Sequence, residues 1–222
     1  MNIAIFGGTF DPIHTGHLRA ATAAARKFRL SQILFIPTGN PPHKPNHHLT
    51  PFHHRYAMVA LACAQDRRFV PSLLEAPTPD GRPHYSINTA RAVKGSLRPH
   101  DRLFFLVGAD AFLDLPHWRA FRSLLELVDF IVVSRPGFDV AEISHHVLPG
   151  VVQPRRGKSP PDTIRLRHTR LHILRGVNAP LASRDIREAV LSGKRATGLV
   201  PPLVEEYILK EGLYRPAPAG QQ

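Results

Sequence analysis

Cysteine is nearly absent. Cys63 is the only one in 222 residues, which excludes an intramolecular disulfide framework and a cysteine-ligated zinc site. It lies in the apolar stretch Tyr56–Cys63, where a buried structural thiol is expected rather than a nucleophile. No apolar run approaches the roughly 20 residues needed to span a bilayer. The first residues lack a basic segment followed by an apolar core and a cleavage site; their short apolar run, Ile3–Phe6, fits a first strand. The expectation is a cytosolic protein. Acidic residues are also scarce, 17 against 29 Lys and Arg, for a net charge of +12.

That surplus admits two readings: a nucleic-acid surface, or a basic background to a site for small polyphosphates. The charge is spread along the chain, and only Arg155–Lys158 and Arg165–Arg175 are locally dense. Composition is otherwise that of a folded domain, with 43% apolar and 21% charged residues, which excludes a disordered chain.

Short apolar runs alternate with helix-like segments. Strands are expected over Asn2–Phe6, Gln32–Ile36, Arg102–Val107, Phe130–Val133 and Leu171–Leu174. Helices are expected over Gly16–Phe28, Pro51–Ala64, Ser86–Gly95, Trp118–Leu127, Ser183–Ser192 and Pro201–Lys210. This alternation marks βαβ units. The fold class is α/β: a Rossmann-like open, mainly parallel sheet with helices on both faces. Thr38–Thr50, Pro77–Pro83 and Pro149–Asp162 read as loops. One domain over residues 1–215 is expected, followed by a disordered tail over 216–222.

The richest segment is Ile5-Phe6-Gly7-Gly8-Thr9-Phe10-Asp11-Pro12-Ile13-His14-Thr15-Gly16-His17. A strand ends at two glycines, whose backbone a ligand can approach closely, and a helix begins whose free N–H groups suit an anion. The pattern is neither Gly-x-Gly-x-x-Gly nor a Walker P-loop, which disfavours a dinucleotide-binding dehydrogenase or a P-loop ATPase. His14 and His17 share one side of a first helical turn. They can donate to phosphate, and nearby negative charge would favour their protonated forms. A surface pair is the bland alternative. A metal site is another, with a third ligand from His43, His47 or His48.

The run Gly7–His17 resembles the signature of the nucleotidyltransferase superfamily with a His-x-Gly-His motif. Pro37-Thr38-Gly39-Asn40-Pro41-Pro42-His43-Lys44, Gly108–Trp118, Arg135-Pro136-Gly137 and Leu199–Ile208 narrow it to the bacterial nicotinate-mononucleotide adenylyltransferase family. The similarity runs from Met1 to about Tyr214 and is weakest across Val140–Arg170.

The resemblance implies a transferase of NAD biosynthesis that joins ATP and nicotinate mononucleotide, releasing pyrophosphate. Mg²⁺ would travel with the ATP phosphates, with no protein side chain as metal ligand. His14 and His17 would be catalytic. With Gly7, Gly8, Thr9, Gly108, Asp110, Ser183 and Arg187 they would bind ATP. Asn40, Lys44, Tyr85, Ser86, Trp118 and Arg135 would hold the mononucleotide. Plainer readings stand beside these: Asp110 as a helix N-cap, Trp118 as a core aromatic, Lys44 as a solvated charge, Arg135 as a cap on the sheet. Nicotinamide mononucleotide, phosphopantetheine and glycerol phosphate are alternative acceptors, and an RNA-binding protein on the same fold is a further alternative. Partners would be small molecules, with a homo-oligomer allowed and no membrane. One departure is notable. The family's Ser-Ser-Thr-x-Ile-Arg reads here Ala182-Ser183-Arg184-Asp185-Ile186-Arg187, leaving Ser183 as the expected hydroxyl N-cap and Arg184 as an added donor.

Overall fold

A computed structural model describes residues 1–41, 49–134, 143, 147–148, 162–177 and 181–215. The alternating pattern becomes one seven-stranded sheet in the order β3-β2-β1-β4-β5-β7-β6. Its strands are β1 (Asn2–Gly8), β2 (Gln32–Pro37), β3 (Phe69–Pro71), β4 (Arg102–Gly108), β5 (Asp129–Val133), β6 (Thr163–Arg165) and β7 (Arg170–Leu174). All neighbours are parallel except β6, which is antiparallel to β7. Among the described residues the helices are α1 (Thr15–Lys27), α2 (Phe52–Cys63), α3 (Ser86–Ser96), α4 (Ala109–Leu113), α5 (Phe121–Leu127), α6 (Ser183–Leu191) and α7 (Pro202–Lys210).

Side chains alternate across a strand, so each central strand feeds two cores. Ile3, Ile5, Phe105 and Val107 pack with Ile87 and Val93 of α3, Phe112 of α4 and Leu124 of α5. Ala4, Phe6, Phe104 and Leu106 pack with Ala21 and Ala24 of α1, Met58 and Ala62 of α2, Ile186 of α6, and Val204 and Ile208 of α7. Burial pushes the Cys63 thiol up to about 12, so it stays protonated and packs as a small hydrophobe.

The long elements follow the periodicity; the short ones do not. β3 and β6 are three residues each, too few to display a period. The expected helix over Trp118–Leu127 starts only at Phe121. A 3-10 turn over Leu115–His117 comes first, and Ala120, left-handed at φ 52°, separates the two. α4 forms in a stretch for which no element was expected. The expected tail and most of Pro149–Asp162, with its basic Arg155–Lys158, lie outside the described residues. Arg165–Arg175 spans the last residue of β6, the turn and β7 of the hairpin at the sheet edge.

The order places the reversal of strand succession at β1, between β2 and β4. In open α/β sheets that switch point opens a crevice outside the carboxyl ends of the strands. Gly7 and Gly8 end β1, Pro37 ends β2 and Gly108 ends β4.

Candidate nucleotide site at the switch point

β1 runs into a loop held in an unusual shape. Phe10 is left-handed at φ 47°, a conformation rare for a bulky residue and often kept at functional sites. Its ring compensates by filling the core at 2% exposure, edge-on to Phe6 and to His17. A Cβ at Gly7 or Gly108 would meet nothing within 4 Å. Packing within the chain therefore does not demand glycine there, and the space beside both strand ends is open to a ligand.

His14 is the N-cap of α1 and His17 its third residue. Each ring accepts the other's backbone N–H at Nδ1, His17 N–H at 3.3 Å and His14 N–H at 3.2 Å. This is a capping box built from imidazoles instead of the usual hydroxyl and carboxylate. The rings stack at 3.6 Å between centroids. Burial lowers His14 to about 4, against an opposing pull from Asp185. Burial, and then the neighbouring His14, take His17 well below its ordinary value. Both rings are thus neutral at physiological pH. With Nδ1 accepting, the proton sits on Nε2, the donor left for a ligand. In the protein alone desolvation thus outweighs the pull of Asp185 on His14; the expected protonated forms concern rings with a phosphate beside them.

α6 completes this side. Its N-cap is Ala182, not Ser183, and the Asp185 carboxylate accepts the Ala182 N–H at 3.1 Å. Ser183, in the first turn, donates instead to the Pro12 carbonyl at 2.9 Å. One turn on, Arg187 donates to the Asp11 carbonyl at 2.7 Å. The helix is thereby tied to the loop just before His14. Arg184 points away and pairs with Glu188 on the exposed face at 3.7 Å, so it adds no donor here.

The other side gathers around β2 and α3. Asn40 accepts the His84 N–H through its carbonyl at 3.2 Å, next to Tyr85, the N-cap of α3, and Ser86, its first residue. No side chain caps α3. The Arg119 guanidinium lies 4.6 Å from the Tyr85 ring centre, which brings the turn carrying Trp118 to the start of α3. Trp118 is half-buried, edge-on to Phe105 at 5.9 Å. Its indole thus has a core contact and a remaining exposed part. Gly108 caps α4, and Asp110 lies inside its first turn, so the N-cap reading of Asp110 does not hold. Lys44 and Arg135 lie outside the described residues, as do His43, His47 and His48. Among the described residues no group of three His, Cys, Asp or Glu could hold a metal ion.

Buried polar residues not singled out in the sequence support these loops. Arg55 of α2 is 2% exposed. It donates to the carbonyls of Thr9, Thr38 and Thr50, each at 2.8 Å. Asp11, also 2% exposed, accepts the Thr50 N–H and the Tyr214 hydroxyl. Arg55 sits amid His53-His54-Arg55-Tyr56 and looks like a helix surface charge. Partners 46 and 17 residues away leave no local signal.

Residues 5–188 match the model of the cytidylyltransferase-like family. A Solibacter usitatus protein named "Probable nicotinate-nucleotide adenylyltransferase" is 39% identical, over 96% of this chain and 100% of its own. One of the same name from Pelobacter propionicus is 38% identical, over 98% and 100%. Among solved structures, Plasmodium falciparum nicotinic acid mononucleotide adenylyltransferase complexed with NaAD superposes with a TM-score of 0.71, at 18% identity over 96% of this chain and 97% of that one. The same protein complexed with APC gives 0.69. At that identity the likeness concerns the fold.

Proposed function

The chain belongs to the cytidylyltransferase-like family and, within it, to the nicotinate-nucleotide adenylyltransferases, and on that premise we propose how its site works. It is a transferase that joins ATP and nicotinate mononucleotide into nicotinate adenine dinucleotide and pyrophosphate, a step of NAD biosynthesis.

The nucleophile is the phosphate of the mononucleotide, whose second pKa is about 6, so it is largely ionised at neutral pH and needs no strong base. One of its oxygens attacks the α-phosphorus of ATP. The bond to the β-phosphate oxygen breaks, and pyrophosphate leaves with the electron pair. Catalysis is then positioning and stabilisation of spreading negative charge.

The observation that carries this reading is the imidazole capping box. It fixes two neutral Nε2–H donors beside a helix N-terminus and a glycine strand end. Preorganised donors of this kind stabilise developing phosphate charge without reorganising. A phosphate seated there would also draw the imidazoles toward their charged forms, since opposite charge counters the burial that lowers them. Gly7, Gly8 and Thr9 let the nucleotide approach the backbone, Gly108 and Asp110 flank its sugar, and Ser183 and Arg187 hold the phosphate loop from α6.

On the acceptor side, Trp118 offers an indole face to the pyridine ring. The uncapped first turn of α3, at Tyr85 and Ser86, suits the nicotinate carboxylate, because free N–H groups and the helix dipole favour an anion. Asn40, with Lys44 and Arg135, would line the ribose phosphate. This arrangement favours the acid over the amide.

Mg²⁺ prefers hard oxygen ligands. The site offers mainly nitrogen donors, so the ATP phosphates would hold the ion, and it would neutralise their charge. The protein would act in the cytoplasm; among the described residues no helix is long and apolar enough to cross a membrane. The reading is tested by pyrophosphate release with ATP and Mg²⁺ against nicotinate mononucleotide, nicotinamide mononucleotide and phosphopantetheine. The acid mononucleotide should be strongly preferred. Release with a different acceptor alone, or with none, overturns it.

A further inference from the structure

Two buried, oppositely charged side chains lie beneath the site without entering it. Arg55 and Asp11 are each 2% exposed. The guanidinium binds three carbonyls from three separate places: Thr9 after β1, Thr38 after β2, and Thr50 just before α2. Thr38 and Thr50 bracket the segment that carries Asn40. Thr9 opens the loop that leads to His14. One side chain thus joins the anchors of the acceptor side to the loop of the triphosphate side.

Asp11 is gripped from three directions. Its carbonyl takes Arg187, and its carboxylate takes the Thr50 N–H at 3.2 Å and the Tyr214 hydroxyl at 2.7 Å. Tyr214 follows α7 in the left-handed region at φ 62°, and α7 is itself held to α2 by Tyr207 and His54 at 2.9 Å. Burial keeps the Tyr214 phenol protonated, raised far above its ordinary value, so it acts only as a donor toward the carboxylate. A hydrogen bond to a buried charge is stronger than a neutral one.

We propose that Arg55, Asp11 and Tyr214 are positioning residues that lock the two nucleotide-binding halves of the site together, with the C-terminal Tyr214 as the bolt. This rests on the adenylyltransferase reading above for its kinetic consequence, but not for its structural one. If the halves are locked through a shared guanidinium, loosening the bolt disturbs both at once. A residue that only stabilised the core would lower the melting temperature without changing substrate affinity.

The test uses the full-length chain. Tyr214→Phe removes one hydroxyl and keeps the ring, so the variant should fold, whereas Asp11→Ala would strand the buried partners of the carboxylate. Ile208→Val, a buried residue of α7, is the stability control. Tyr214→Phe should raise KM for ATP and for nicotinate mononucleotide together, each on the order of tenfold, as expected for losing a charge-assisted bond. kcat should fall less. Ile208→Val should leave both KM values within twofold. In the protein alone, Tyr214→Phe should speed amide hydrogen exchange in both Gly8–His14 and Leu49–Arg55, but not in α3. Unchanged exchange in either segment, or uniformly faster exchange, overturns the lock. So does a KM effect on one substrate only. Absence of wild-type turnover with the mononucleotide would sink the reading of the reaction instead, while the exchange measurement would still decide the lock.

Discussion

The rings of His14 and His17 lie stacked at 3.6 Å, 23° from parallel, and each accepts the other's backbone N–H. The pair is therefore the first turn of α1 as well as the candidate catalytic element. Removing either ring alters chemistry and helix start together, and the two effects separate by measurement.

His17→Ala should lower kcat about 100- to 1000-fold, the usual cost of removing one preorganised donor to a developing anion. His14→Ala should do the same and also lose about 1 kcal/mol of stability, because His14 is the N-cap. Steady-state pyrophosphate release and urea unfolding report the two losses. Turnover by His17→Ala equal to wild type would remove the histidines from the mechanism.

Stability should fall on mild acidification. Burial holds His14 at about 4 in the folded protein, against 6.5 for the free side chain. Between those values the unfolded chain binds the extra proton, so stability rises with pH across the window. The contribution is fully present above 6.5 and lost as pH falls toward 4. It amounts to about 3 kcal/mol at most. His17 and His172 are lowered mainly by burial and act in the same direction. His14→Asn keeps an N-cap acceptor without the titration. Its urea midpoint should vary less between pH 7.5 and 4.5 than that of the wild type, and equal slopes would count against the assignment.

Two glycines should behave oppositely. A Cβ at Gly39 would sit 2.4 Å from the Glu75 carbonyl and 2.8 Å from the Pro77 nitrogen, both backbone atoms with little room to yield. Gly39→Ala should therefore destabilise the fold measurably by thermal melting. A Cβ at Gly7 meets nothing in the chain. Gly7→Ala should melt like the wild type yet bind ATP at least tenfold more weakly by titration. Unimpaired ATP binding would show that the Gly7 opening is not used.

Trp118 is the sole tryptophan, so intrinsic fluorescence reports on it alone. Nicotinate mononucleotide should quench the emission and ATP should leave it nearly unchanged. Trp118→Phe should raise KM for the mononucleotide several-fold and spare that for ATP. Equal responses to both substrates would favour the plainer reading of Trp118 as a partner of Phe105 only.

Much of the fold was legible in the chain, because hydrophobic periodicity and turn residues act locally. The runs of β1, β2, β4, β5 and β7 and the helices α1, α2, α3, α6 and α7 carry patterns long enough to read. β3, β6 and α4 are too short, and the start of α5 was misplaced because Ala120 shows no sign of its left-handed backbone in its identity. The site was legible as a set of motifs, since the resemblance joined Gly7–His17 to Gly108–Trp118 and to Arg187.

The chain by itself determined residue chemistry: two imidazoles after a glycine strand end, a lone tryptophan, a serine and an arginine near the C-terminal end. Tertiary structure decided their states and duties. The histidines are neutral because burial excludes water, His17 under the rings of Phe6 and Phe10 and His14 against His17, and desolvation is a property of the assembled core. Ser183 and Arg187 grip the Asp11–Pro12 backbone 171 and 176 residues away. Arg55 passes from an ordinary helix charge to the tie between two strand ends. Such roles depend on which carbonyls folding brings within 3 Å of a donor, and no local pattern encodes that.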